Sequence, residues 1–269
     1  PQSIAYIGVS GGKGKIAAIP LQKVKMYGYR GRVYPVNPNY EEIEGYPCYR
    51  SIDQLPEGID LAVVSLAAPN VLPALDELAE RKIKSAVVFS SGFSEIGEEG
   101  KQLQERLTEF SVRTNIPVCG PNSIGLINFN SYAVASFANL DLSVRSPVAF
   151  VTQSGAVGTC MYELAKEVGV GFEYFVSSGN EASVDFFDYV SYFAKQEKLK
   201  VIAGYIEGAR DIAGMEKALR EAAENDKPVV LLKVGHSKQG AEAALSHTSS
   251  LAGNQSVYES FFRQHNVVQ

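Results

Sequence analysis

The sequence predicts an α/β protein made of two doubly wound parallel-sheet domains, residues 1–142 and 143–269. Three observations predict it. Short runs rich in β-forming residues alternate with longer stretches of helical periodicity. The runs are apolar throughout, as strands covered on both faces are. The alternation loosens over 125–142, crosses a boundary-like stretch at 143–147, and then restarts.

In the first domain, 4–9 reads as a strand, 16–27 as a helix and 32–36 as a strand. A strand at 61–66, a helix at 71–81, a strand at 85–89, a helix at 98–113 and a strand at 117–119 follow. In the second, 148–152 is a strand, 156–168 and 185–194 are helices, 201–206 is a strand, 215–224 a helix and 228–233 a strand. A stretch rich in Gly, Ser and Ala at 235–253 precedes a last helix near 256–264.

Composition narrows the function. The 269 residues are 45% hydrophobic and 20% charged, with a net charge of −5, which disfavours a nucleic-acid binder held by its overall field. No apolar run approaches the roughly 18 residues of a membrane span, and the opening residues do not read as a secretory leader. Cys48, Cys119 and Cys160 are widely spaced with no CxxC, so neither a disulfide framework nor a metal site is expected, and a reduced cytoplasmic setting is. The lack of an initial Met and the last helix near the end suggest a piece of something longer. Charge is uneven: residues 1–40 hold six bases (Lys13, Lys15, Lys23, Lys25, Arg30, Arg32) and no acid before Glu41. A basic run is ordinarily a solvated face; beside a glycine loop it also suits an anion.

In parallel sheets ligands gather where strand ends lead into helix N-termini. The first such loop is Gly8-Val9-Ser10-Gly11-Gly12-Lys13-Gly14, where exposed amides would favour a phosphate, with Lys25 and Arg32 as candidate counter-charges. It does not match GxGxxG in register. The second strand ends Pro35-Val36-Asn37-Pro38, without the acid that holds a ribose hydroxyl, so NAD is disfavoured and another phosphate-rich nucleotide is not. Ser65–Pro69, with Ala67 and Pro69, and Ser90-Ser91-Gly92-Phe93-Ser94-Glu95 would share this edge, their small residues permitting close approach. The second domain opens on Gln153-Ser154-Gly155-Ala156 after a strand, with Ser154 as helix cap and following amides aimed at an anion. The G-x-S-x-G of a nucleophile elbow is absent because Thr152 stands two before Ser154, which disfavours a serine hydrolase. Of three histidines, His265 and His236 read as surface and loop residues. His247, in Ser246-His247-Thr248, has small hydroxyl neighbours that suit a phosphoryl carrier.

Eight motifs in order then define a resemblance: Ile7-Gly8-Val9-Ser10, 33–38, Ser91–Glu95, Gly120-Pro121-Asn122-Ser123-Ile124-Gly125, Gln153–Ala156, Gly179-Asn180-Glu181-Ala182, Tyr205-Ile206-Glu207-Gly208, and 246–248 with 251–253. From 3 to 268 the chain resembles the NDP-forming acyl-CoA synthetases of the ADP-forming acetyl-CoA synthetase type, relatives of the succinyl-CoA synthetase α subunit. The resemblance implies a Rossmann-like CoA-binding domain and a flavodoxin-like ligase domain. It implies His247 as phosphorylated nucleophile and Glu207 as its orienting carboxylate. It implies Gln153, Ser154, Gly155, Ala156, Gly179 and Asn180 around phosphate. CoA would meet Ser10, Gly11, Gly12, Lys25, Pro35, Asn37, Pro38, Ala67, Pro69, Ser90, Ser91, Gly92, Phe93 and Asn122. Ser123 stands where many relatives have Cys, and Ser249-Ser250 where they have Gly and a small residue; neither touches the nucleophile.

Nothing here resembles the ATP-grasp part that serves the nucleotide in that family. The expected partners are therefore CoA or acyl-CoA, phosphate, and an ATP-grasp domain or β subunit that brings ATP or ADP and Mg, in a homo- or hetero-oligomer without nucleic acid or membrane. The alternative is a catalytically silent acyl-CoA sensor or an acetyltransferase-associated module, which the retained His247 and Glu207 disfavour.

Overall fold

The computed structural model describes residues 1–12, 15–234 and 255–269. The chain folds as two compact units, Pro1–Leu142 with Asn180–Ser183, and Ser143–Gly179 with Val184–Gln269. Both are α/β with parallel sheets, as the apolar strand runs predict.

The first unit contains β1 (Ser3–Ile7), α1 (Ile19–Met26), β2 (Arg32–Val36), a small antiparallel pair β3 (Glu42–Ile43) and β4 (Tyr46–Pro47), β5 (Leu61–Val64), α2 (Val71–Glu80), β6 (Ala86–Val88), α3 (Glu98–Thr114) and β7 (Val118–Cys119). Its sheet runs β2-β1-β5-β6-β7, all parallel, with Ile7 level with both Val36 and Val64. The chain leaves β1 for one side and returns for β5 on the other. The topological switch point therefore lies between the ends of β1 and β5. Every residue of β1 and β5 is buried, which is why their sequences do not alternate.

Two expectations shift here. The single helix read at 16–27 is a short 3-10 turn, Ile16–Ala18, followed by α1. Pro20 sits at the second position of α1, where its missing N–H is harmless. The stretch 125–142 also holds an antiparallel hairpin, β8 (Gly125–Asn128) and β9 (Ala133–Ser136). The fully buried Tyr6 of β1 donates its hydroxyl to the Val134 carbonyl at 2.7 Å and anchors that hairpin.

The second unit contains β10 (Val148–Thr152), α4 (Gly155–Glu167), β11 (Tyr174–Ser177), α5 (Phe186–Ala194), β12 (Val201–Ile206), α6 (Ile212–Glu224), β13 (Val229–Lys233) and α7 (Gln255–Gln264). Its parallel strands run β13-β12-β10-β11, with a switch point between β10 and β12. The short β11 is absent from the sequence expectation. At the open edge, β13 alternates buried and exposed residues, and the tail after α7 covers it through Leu231 N to Val268 O (2.8 Å) and Val268 N to Val229 O (3.0 Å). Among the described residues no helix is long and apolar enough to cross a membrane.

Candidate functional site

At the switch point of the first unit the chain ends of β1 and β5 touch. Gly8 has φ +78°, and a Cβ there would stand 2.5 Å from the Ser65 carbonyl oxygen. Only glycine permits both the dihedral and the approach. The loop beyond is held from β2: Asn37 donates from Nδ2 to the Val9 carbonyl at 2.7 Å, while its Oδ1 accepts the Asn39 amide at 2.9 Å. An acid at position 37 could accept only, so the strand-end asparagine serves loop geometry that an NAD-type carboxylate could not.

Ser10 and Gly11 are half-buried and Gly12 is exposed, with no acidic residue in the first turn of α1. These amides and the helix dipole suit a phosphate. Lys25 is committed elsewhere. It lies in the last turn of α1, about 9 Å of helix rise from its start, and donates to the Glu44 carbonyl at 2.8 Å. Lys23 likewise donates to the Leu140 carbonyl at 2.9 Å. Both lysines are thus bonded to backbone carbonyls.

The neighbouring loops are equally built. Ser90 donates from Oγ to the Leu66 carbonyl at 2.5 Å, joining the ends of β5 and β6. Ala67 precedes and Pro69 lies within the short turn Ala68–Asn70 before α2, and Ser91 is exposed beside Gly92. Phe93 differs from the ligand residue expected of it: its ring is fully buried in the core, leaving only its backbone for a ligand. Pro35 is buried within β2, an edge strand where a missing donor is tolerated, and Pro38 is exposed. Asn122 adopts φ +53° and donates its amide N–H to the Ser90 carbonyl at 2.8 Å. Asn180, expected near phosphate, has its side chain turned to Glu95, Gln104, Ser94 and Asn122 instead.

In the second unit Ser154 caps α4, its Oγ accepting the Val157 amide at 3.5 Å. The first turn of α4 contains no acid, and Gly155 and Ala156 are accessible, so their amides form an anion seat. Gln153 is buried and its amide spans the switch point. Its Oε1 accepts the Glu207 amide at 2.6 Å and the Gly208 amide at 3.1 Å, and its Nε2 donates to the Gly208 carbonyl at 2.8 Å. Gly179 follows β11 with φ +64°. His247 and His236 lie outside the described residues.

Glu207 is buried beyond the end of β12. One buried cation faces it that sequence reading passed over: Lys233, the last residue of β13, level with Ile206. Burial pulls the Lys233 ammonium below its ordinary pKa while Glu207 opposes that shift. The ammonium sits 4.8 Å from the Tyr258 ring centre and donates to the Val234 carbonyl. Tyr258 in turn accepts the Ala209 amide at 2.9 Å. Burial raises the Tyr205 phenol, and Glu207 raises it further. A lysine on an edge strand reads as a solvated side chain; only the aromatic cover from α7 distinguishes this one.

Two parallel-sheet units, each with anion-suited loops at its switch point, are the arrangement that the chain presents. Residues 2–128 match the family model described as a CoA binding domain, and 145–269 match the succinyl-CoA ligase like flavodoxin domain. The two halves of the chain thus match, in order, the two domain types that the sequence motifs imply. It is 39% identical over 269 residues to an ADP-forming acetate–CoA ligase I of Archaeoglobus fulgidus, covering all of this chain and 39% of that protein. It is 37% identical to the α subunit of an ADP-forming acetate–CoA ligase II of Pyrococcus furiosus, covering 100% of this chain and 58% of that subunit. A solved structure from Ca. Korarchaeum cryptofilum, described as a dinucleotide forming acetyl-coenzyme A synthetase 1 in complex with phosphate and ADP, superposes with a TM-score of 0.91. It is 34% identical, over 100% of this chain and 57% of the other. The chain therefore spans 39% to 58% of the length of these relatives. None of the three is named as a sensor or an acetyltransferase, so the silent-module alternative gains no support.

Proposed function

We propose that this chain is the CoA-binding and phosphate-handling portion of an ADP-forming acyl-CoA synthetase, working with an ATP-grasp domain or β subunit that holds ADP or ATP and Mg. The observation that carries the reading is the Gln153 clamp, which joins the acid-free N-terminus of α4 to the Glu207–Gly208 turn at the switch point.

A phosphate oxygen attacks the thioester carbonyl, the C–S bond breaks, and CoA leaves as a thiolate that takes a proton. The glycine loop after β1, with Asn37 holding it, supports CoA binding; Ser90, Ser91, Gly92 and Asn122 line the thioester end. The acyl phosphate then gives its phosphoryl group to a ring nitrogen of neutral His247, the P–O bond breaks, and a carboxylate departs. Ser154 with the amides of Gly155 and Ala156 seats the phosphate. Glu207 accepts the proton-bearing ring nitrogen of His247 and favours the cationic phosphohistidine. Transfer to ADP completes the exchange, and every step is reversible. The reading implies a cytoplasmic setting, where CoA esters and ADP are supplied.

The complete enzyme, incubated with acetyl-CoA and radiolabelled phosphate, is expected to acquire acid-labile label that ADP discharges. His247→Ala is expected to acquire none; label that persists in that variant overturns the assignment.

A further inference from the structure

Asn122, Asn180 and Glu95 close a ring of hydrogen bonds around the loop that follows β6. Asn122 donates its backbone N–H to the Ser90 carbonyl at 2.8 Å, and its Nδ2 to Asn180 Oδ1 at 3.2 Å. Asn180 donates from Nδ2 to Glu95 Oε2 at 2.6 Å. Glu95 Oε1 accepts the Gly92 amide at 2.5 Å and the Phe93 amide at 3.2 Å. The circuit returns to the loop it started from.

Its surroundings make the ring specific. Asn180 Nδ2 also lies 3.0 Å from Gln104 Oε1 and 3.3 Å from Ser94 Oγ, while Gln104 donates from Nε2 to the Asn180 carbonyl at 3.3 Å. The Asn180 and Ala182 amides donate to the Pro121 and Gly120 carbonyls at 2.8 and 3.0 Å, so 180–182 lies along the turn after β7. Burial pushes the Glu95 carboxyl up, but the hydrogen bonds from Asn180, Gly92 and Phe93 outweigh it and hold it below its ordinary pKa. Two backbone positions in the ring have positive φ: Gly92 at +100°, which glycine adopts freely, and Asn122 at +53°, a left-handed conformation that its surroundings hold in place.

We propose that Glu95 is a positioning residue for acyl transfer. Through Asn180 it sets Ser90–Gly92 and Asn122, the backbone that lines the thioester end of CoA, without touching the reacting atoms. The inference rests on the proposed function and names the residue that orients that site. A loop that binds CoA in the wrong attitude would still bind it, because most contacts to a nucleotide thioester lie on the nucleotide. The attacking phosphate oxygen would then meet the carbonyl out of line, and a misplacement of about 1 Å can lower a rate on the order of a hundredfold.

The test uses the complete enzyme and follows CoA release from acetyl-CoA, phosphate and ADP. Glu95→Gln keeps shape but places a second amide donor against Asn180 or Gly92; its kcat is expected to fall tenfold or more, with the KM for acetyl-CoA within about threefold. Asn180→Asp alone is expected to fall similarly. Combining Glu95→Gln with Asn180→Asp restores a donor facing an acceptor, and at least a fivefold recovery over either single variant is expected. Unchanged kcat in Glu95→Gln overturns the proposal. So does a loss that tracks a lowered melting temperature with no recovery in the pair, or one expressed in KM alone. A wild-type enzyme that releases no CoA would instead overturn the underlying reading.

Discussion

The side-chain amide of Gln153 accepts the backbone N–H of Glu207 at 2.6 Å, so the residue before the α4 cap fixes the residue after β12. The same amide makes both possible bonds to Gly208. A glutamine is the residue type that accepts and donates from one planar end, and here both functions are used. The carboxylate and the anion seat thereby move as one body.

Gln153→Ala is expected to lower stability by about 1–3 kcal/mol, because three buried backbone groups lose a partner. Gln153→Glu keeps the shape, loses the donor to the Gly208 carbonyl and sets a negative charge beside Glu207. Histidine labelling in both variants is expected to drop at least tenfold with CoA affinity retained; calorimetry and phosphate labelling on the same preparation separate the two effects.

Lys233→Met removes a buried cation facing Glu207 and the donor to the Val234 carbonyl. Losing that cation and its hydrogen bond is expected to lower stability by about 1–3 kcal/mol, and urea denaturation would read it. Lys233→Arg retains the charge and is expected to recover part of both stability and labelling. Lower labelling in Lys233→Met is expected if Lys233 tunes Glu207 for the phosphoryl step; equal labelling in all three proteins would contradict that role.

Gly8→Ala meets two obstacles: φ of +78° and a Cβ placed 2.5 Å from the Ser65 oxygen and 2.6 Å from Leu66 Cδ2. Strain and overpacking together are expected to destabilise the first unit by about 2–4 kcal/mol. Since the clash separates the ends of β1 and β5, CoA affinity should fall with it, by about tenfold or more, in a calorimetric titration.

Asp60 controls acid stability at the opposite end of the first sheet. Lys84 above all, then the Gln2 amide and the Ser3 side chain, hold its carboxyl down at about 2, against burial. A depressed carboxyl stabilises the fold above its unfolded pKa of 3.8, and that contribution is lost as pH falls through about 2. Asp60→Ala is expected to be less stable by about 1 kcal/mol at neutral pH. Its melting temperature should converge with that of the parent near pH 2. A constant gap down to that pH would contradict the linkage.

The architecture and the strand-end loops were legible in the sequence, because both depend on local patterns. Largely buried parallel strands are near-continuous apolar runs, which is why 148–152 and 201–206 are recovered at their observed bounds. Ser154 could be read as a cap from its place between a strand and a helix, since capping involves only the next turn. What failed was short or non-local. Tyr174–Ser177, four residues among glycines, becomes a strand only by pairing with β10, and Ala133–Ser136 only by pairing with β8.

Within the site, sequence alone named Gln153, Asn180, Glu207 and Asn37 but not their partners. The fold bonds Lys25 to the Glu44 carbonyl, and core packing claimed the ring of Phe93. Asn180 lies 85 residues from Glu95, and Lys233 25 residues from Tyr258, yet each pair meets. No periodicity records such encounters. Sequence determined which residue types stand at strand ends, since backbone propensity and burial act over a few neighbours. Tertiary structure decided which polar atoms those residues spend on each other, since a buried hydrogen bond is chosen by whatever the fold brings within 3 Å.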